Sequence, residues 1–108
     1  MKLSELVEVS NDQCAKCISW TYILSHKIDA DLCKELRVFG QELYPITVVD
    51  LFKIEEPGQF YVECIIGTRQ LKIWFSKSLG DEIEKRKDIL ENCLISWFSD
   101  KFDSDIER

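Results

Sequence analysis

Four side chains in the first third of the chain have the chemistry to bind a metal ion. Cys14 and Cys17 form a Cys-x-x-Cys pair, and His26 and Cys33 follow it closely. Thiolate sulfur and imidazole nitrogen are the usual ligands of structural zinc. The sequence therefore leaves open a zinc-stabilised structural domain. The alternative needs no cofactor: "CAKCISW" has no Gly or Pro to make a zinc knuckle, and both cysteines then lie buried on one helix.

Catalytic residues do not form a recognisable set. His26 is the only histidine, and no Ser or Cys nucleophile stands in a motif with it. A Gly-rich phosphate loop and a paired metal-binding carboxylate motif are also missing from the sequence. We therefore expect that the protein is not an enzyme and that His26 is an exposed residue near a helix end.

Composition indicates one compact domain that is a poor match for polyanions. The chain has 108 residues, 45% of them hydrophobic, and a formal net charge of −6. Five cysteines, an odd number, predict free thiols in a reducing compartment, cytoplasmic or nuclear. No apolar run is long enough to span a membrane, and the acidic residues near the start do not suit a signal peptide.

The first half of the sequence predicts two helices. Residues 11–28 have Ile18 and Tyr22 at a spacing of four, which fits one side of a helix. A second helix begins at Asp29 or Asp31, which can cap it, and Leu32, Leu36 and Phe39 form its apolar stripe.

The second half predicts three antiparallel strands and a last helix. The strands run over about 46–54, 60–66 and 71–76, and short turns at 56–59 and 67–70 join them. Asp81 is the expected cap of the final helix. This order predicts an α+β fold with helices on one face of a sheet.

The segment from Asp31 to Phe98 resembles a double-stranded-RNA-binding domain, whose order is α-β-β-β-α. It is most similar to the third domain of the Dicer-partner proteins of the TAR-RNA-binding-protein, PACT and Loquacious group. Their strand pattern is matched by "ITVVDLFKIEEPGQFYVECII", at Ile46, Thr47, Asp50, Gly58, Gln59 and Cys64. The resemblance implies a domain at 29–102, preceded by a helical extension at 1–28 and followed by a tail at 103–108.

Departures from that family favour binding of protein over RNA. The turn that meets RNA in binding members is the acidic "EEPGQ", without the family's His. Glu82 and Ile83 occupy two positions of the family's lysine cluster, and Glu82 would repel phosphate. The rival hypothesis is a weak binder of double-stranded RNA. It would use Arg69, Lys72, Lys85, Arg86 and Lys87.

The three predicted strands are apolar on both faces. Phe60, Val62, Cys64 and Ile66 suit a core beneath helices, as do Leu71, Ile73 and Phe75 on the next strand. Two covers for the other face stay open: residues 1–28, or a partner chain, which could instead pair with the edge of the third strand. The resemblance implies a homodimer through that strand, docking to a Dicer-like nuclease or another RNA-silencing protein, or both. The predicted partner-binding residues are Leu71, Ile73, Trp74, Phe75, Tyr61 and Ile65.

Overall fold

The computed structural model describes residues 1–40, 50–103 and 105–108. These residues form a five-stranded antiparallel sheet with two α-helices on one of its faces. The strands lie in the spatial order β1-β2-β5-β4-β3. The α+β class predicted from sequence is confirmed. The elements are β1 (Val7–Gln13), β2 (Cys17–Leu24), α1 (Ala30–Leu36), β3 (Leu51–Glu56), β4 (Phe60–Ile65), β5 (Gln70–Ser76) and α2 (Glu82–Phe102).

The helix predicted over residues 11–28 is wrong, because this segment is mostly a β-hairpin. β1 pairs with β2, and β2 pairs on its other side with β5. The spacing of Ile18 and Tyr22 fits a strand as well as a helix, since two strand repeats also span four residues. Trp20 and Leu24 complete an alternation with period two, and all four side chains lie on the core side of β2. The helical extension expected at 1–28 is therefore corrected to a hairpin that enlarges the sheet.

A disulfide joins Cys14 to Cys17 across the turn of this hairpin. The expectation of five free thiols is therefore wrong for these two. Antiparallel pairing brings their Cα atoms to 5.1 Å, a separation that suits a disulfide. The Cys14 amide also donates a hydrogen bond to the Cys17 carbonyl oxygen, at 2.9 Å. The thiols of Cys33, Cys64 and Cys93 are buried, as the sequence predicts for Cys64 and Cys93.

The meander predicted for the second half is present. β3 pairs with β4, and β4 with β5, all antiparallel. Gly58, with a φ of 76°, lies in the first turn, where a positive φ favours glycine. The predicted first strand began at residue 46, and residues 46–49 lie outside the described part of the chain.

One core lies between the sheet and the two helices, and it includes both halves of the sequence. Asp29 caps α1 as predicted, since its side chain accepts hydrogen bonds from the amides of Asp31 and Leu32. Asp81 precedes α2, but its side chain makes no capping hydrogen bond. The core combines Leu3, Val7, Tyr22, Leu24 and Ile28 from the first 28 residues with side chains of both helices and of β3, β4 and β5.

Candidate functional site: the open face of the sheet

The side of the sheet opposite the two helices is the candidate site, and we call it the open face. Strand register determines its members, because side chains alternate between the two faces. The described helices and 3-10 turns contribute their buried side chains to the core on the other face. The open face consists of Glu8, Ser10, Asp12, Cys17, Ser19, Thr21, Ile23, Leu51, Lys53, Glu55, Tyr61, Glu63, Ile65, Gln70, Lys72, Trp74 and Ser76.

A pair of stacked aromatic rings lies in the middle of the open face. Tyr61 and Trp74 are cross-strand partners, with ring centroids 5.5 Å apart and planes only 11° from parallel. The Lys53 ammonium lies 4.8 Å from the centroid of the Tyr61 ring, and that of Lys72 lies 5.7 Å from it. Both rings are half-buried, so each keeps apolar surface in contact with solvent. Rigid aromatic surface of this kind is typical of the energetic centre of a protein interface.

Aliphatic side chains lie to one side of the aromatic pair. Leu51 pairs with Ile65 across β3 and β4, and Ile23 lies further along the sheet beside Gln70. Ile65 is 40% exposed and Ile23 is 39% exposed. An open depression of about 420 Å³ lies against Leu51, Ile65 and the neighbouring polar residues of β4 and β5. The open face therefore offers both a flat aromatic surface and a shallow apolar recess.

The partner-binding residues predicted from sequence divide into two groups. Leu71, Ile73 and Phe75 have no exposed surface, because they point into the core beneath the helices. Their assignment to a partner is corrected for that reason. Tyr61, Ile65 and Trp74 lie together on the open face, and each keeps part of its side chain in contact with solvent.

Both edges of the predicted third strand, β5, are already paired. β2 pairs with β5 over seven residues on one side, and β4 pairs with β5 on the other. Neither backbone edge of this strand is therefore open in this structure for pairing with a second copy. The hairpin also does not cover the second face, because it lies beside β5 within the sheet. The sequence missed Thr21 and Ile23 of β2 as site residues, although the period-two alternation from Ile18 to Leu24 was a signal for them.

The charge of the open face is mixed, with acidic side chains in excess. Glu8, Asp12, Glu55 and Glu63 contribute four carboxylates, against the ammonium groups of Lys53 and Lys72. The Lys53 ammonium lies 3.7 Å from Glu55 and 3.9 Å from Glu63, so its charge is largely balanced. Glu8 and Asp12 lie on the outermost strand, β1, away from these lysines in the register.

The five residues proposed for RNA binding do not share one surface. Lys72 lies on the open face, whereas the other lysines and Arg86 come from α2, on the opposite side of the sheet. Arg86 lies over the Phe60 ring and 3.6 Å from Glu56. Lys87 lies over the Trp20 ring and pairs with Glu91 at 3.4 Å. Lys85 is 3.6 Å from Glu82. Arg86 and Lys87 therefore take part in the packing of α2 on the sheet, whereas Lys85 forms an exposed ion pair within the helix.

The four predicted zinc ligands are not brought together. Cys14 and Cys17 are joined in the hairpin turn, at the opposite end of β2 from His26. The His26 ring packs on Phe102, with centroids 4.0 Å apart, and Cys33 is buried in α1. Within residues 1–40, 50–103 and 105–108, no three His, Cys, Asp or Glu side chains form a metal-binding group.

Groups with shifted pKa values lie on the helix side of the sheet. Burial raises the pKa of Tyr22, and burial with the nearby Glu35 charge raises that of the Cys93 thiol to about 11. Burial opposes ionisation of Asp29, but hydrogen bonds from Lys101, the Leu32 amide and Trp97 outweigh it and lower the Asp29 pKa below 3.8. Hydrogen bonds to Asp31 and Asp29 raise the pKa of Lys101. These shifts accompany packing and helix capping, not an acid–base pair on the open face.

Comparisons with family models, with curated proteins and with solved structures find no match to this chain. Across the described residues, no helix is both long and apolar enough to cross a lipid bilayer. The open face is therefore interpreted from its own side chains.

Proposed function

We propose that this protein is a non-catalytic protein-interaction domain whose contact surface is the open face. The observation that carries the proposal is the stacked pair of Tyr61 and Trp74, beside exposed Ile23 and Ile65, on a face that the described helices leave uncovered. An aromatic centre with a polar rim is typical of protein interfaces. Binding would proceed by burial of these side chains, without chemistry.

Charge favours a different protein over a second copy as the partner. Two copies placed face to face would bring acidic surfaces together, and each chain carries a net charge of −6. A partner with apolar side chains flanked by Lys or Arg would instead complement Glu8, Asp12 and Glu55. A helix with one apolar face and basic flanks meets this requirement.

Strand spacing indicates a small interface. Five strands about 4.8 Å apart and six to eight residues long give a face of roughly 500 Å². A standard stable interface buries about 800 Å² on each partner. The proposed contact therefore belongs to the weak, transient class, unless the partner also reaches over a sheet edge.

The resemblance to the third domain of the Dicer-partner proteins supports a proposal for the kind of partner that this domain binds. Those domains dock a helix of Dicer, so a large RNA-silencing nuclease is part of our proposal as the heterologous partner. Homodimerisation through the edge of β5 is not retained, because β2 occupies that edge.

A helical peptide of leucine and lysine, with leucine on one face, tests the proposal. We expect NMR amide shifts in β4 and β5 on titration, and a weaker effect from a peptide with glutamate in place of lysine. Ile65→Lys should weaken binding of this peptide roughly tenfold, which corresponds to a loss of about 1.4 kcal/mol in binding free energy. Val38→Lys is the matched control, since Val38 is 64% exposed outside the sheet and the substitution adds the same charge. Equal weakening by both variants would contradict the proposal.

Two further measurements separate the alternatives. Light scattering should show that the wild type is a monomer. A wild-type dimer that the Ile65→Lys substitution dissociates would instead show that a second copy binds the open face. Duplex RNA should not bind appreciably. Tight RNA binding that weakens steeply with salt would favour the RNA-binding hypothesis.

A further inference from the structure

The Cys14–Cys17 disulfide holds the most accessible cysteine sulfur atoms among the described residues. It lies at the turn of the β1–β2 hairpin, where Cys14 is exposed and Cys17 is partly exposed. Cys33, Cys64 and Cys93 are buried. A reagent in solution therefore reaches one pair of sulfur atoms far more easily than the other thiols.

The hairpin itself does not depend on this bond. β1 and β2 are held by seven residue pairs, and β2 is also paired with β5. A disulfide that closes so short a loop restrains the unfolded chain much less than one that closes a long loop. Breaking the bond should therefore leave the sheet folded, with both cysteines still held near each other.

Local contacts preserve the geometry of the turn. The Cys14 amide donates to the Cys17 carbonyl oxygen, and the Lys77 amide donates to the Lys16 carbonyl oxygen, both at 2.9 Å. The reduced pair would thus remain positioned to form the bond again.

We propose that Cys14 and Cys17 form a reversible thiol–disulfide exchange site for a low-molecular-weight thiol such as glutathione. This inference does not depend on the proposed interaction function. In the first step a glutathione thiolate attacks Cys14 Sγ. A mixed disulfide forms, the bond between the two Sγ atoms breaks, and Cys17 leaves as a thiolate that takes up a proton.

A second glutathione thiolate completes the exchange. It attacks the glutathione sulfur of the mixed disulfide, so that glutathione disulfide leaves and the Cys14 thiolate takes up a proton. The protein disulfide gains two electrons, and two glutathione molecules become one glutathione disulfide. Oxidation is the same sequence in reverse.

The test is equilibration of the folded protein in buffers of differing reduced-to-oxidised glutathione ratio. Each sample is quenched with an alkylating agent and analysed by intact mass and peptide mapping. We expect the labelled form to gain two groups, on Cys14 and Cys17 alone, with unchanged far-UV circular dichroism. The same oxidised and reduced populations should be reached from either starting state.

Single-cysteine variants test the site directly. Cys17→Ser should form a mixed disulfide with glutathione at the exposed Cys14, whereas Cys93→Ser, a change at a buried thiol, should behave as the wild type. The proposal is overturned if the native pair stays oxidised in reduced glutathione until the protein unfolds. It is equally overturned if the reduced pair fails to reoxidise, or if the Cys17→Ser variant forms no adduct.

Discussion

Tyr22 shows how a strand position determines the environment of a single side chain. It is fully buried on the core side of β2, and its hydroxyl has no hydrogen-bond partner among the described residues. Burial and the acidic side chains of α2, with Glu91 foremost, raise its pKa. The ring contributes core packing, while the hydroxyl group is a cost that a phenylalanine would not carry.

Tyr22→Phe should therefore stabilise the protein. An unsatisfied buried polar group costs about 1–3 kcal/mol, so we expect a gain of roughly 1 kcal/mol in the free energy of unfolding. Urea denaturation measures it, with Tyr61→Phe on the open face as the control that should change little. A loss of stability in Tyr22→Phe would show that the hydroxyl is hydrogen-bonded after all.

The carboxylate of Asp29, at the start of α1, contacts both α-helices. Asp29 Oδ1 caps α1 and accepts from Trp97 Nε1 of α2, at 3.0 Å. Asp29 Oδ2 lies 3.0 Å from the Lys101 ammonium. The sequence predicted the cap but not the contacts with α2, because these depend on how the helices pack.

Asp29→Ala should lower the free energy of unfolding by about 1–2 kcal/mol at neutral pH, the usual effect of losing an N-cap. The folded-state pKa of Asp29 is lowered, so its stabilisation is fully present above the unfolded value of 3.8. This stabilisation is lost as the pH falls through the lower pKa of the folded state. The difference in free energy of unfolding between wild type and Asp29→Ala should therefore shrink in that pH range.

Urea unfolding across that pH range measures the difference. Asp31→Ala is the matched control, because Asp31 also contacts Lys101 but accepts no capping hydrogen bond. This substitution should therefore lower the free energy of unfolding by less than Asp29→Ala does. A difference between wild type and Asp29→Ala that does not depend on pH would show that the ionised carboxylate adds nothing to the cap.

At the scale of the whole molecule, the hairpin and the following residues form one sheet and one core. β2 covers the edge of β5, and Tyr22 pairs with Leu71 across it. The hairpin also contributes core side chains over the helix-facing side of the sheet. The segment from residue 29 onward therefore lacks part of its core when it is alone.

A fragment of residues 29–108 should fail to fold cooperatively, because it exposes the backbone edge of β5 and the apolar side chains that β2 covers. Near-UV circular dichroism and thermal melting compare it with the full chain. Adding a synthetic peptide of residues 1–28 should restore native signals at least in part. A stable, cooperatively melting fragment would instead support an independent domain at 29–102.

Local patterns were sufficient for the meander and for much of the helical structure. The turns after β3 and β4, the alternation of β4 and β5, the Asp29 cap and the apolar stripe of α1 all follow from residues close together in the sequence. They also predicted which side chains of β4 and β5 face the core. That alternation already placed Tyr61 and Trp74 on the opposite face.

The sequence by itself determined an α+β chain with one acidic, apolar-rich domain and an aromatic second sheet face. Only the tertiary structure decided that residues 7–24 form a β-hairpin, because a spacing of four residues fits both a helix and a strand. The partner of β2 lies about fifty residues away in the sequence, at β5, and no local rule specifies such a pairing. That pairing closes the β5 edge, and it extends the open face, which the described helices leave uncovered, onto β2.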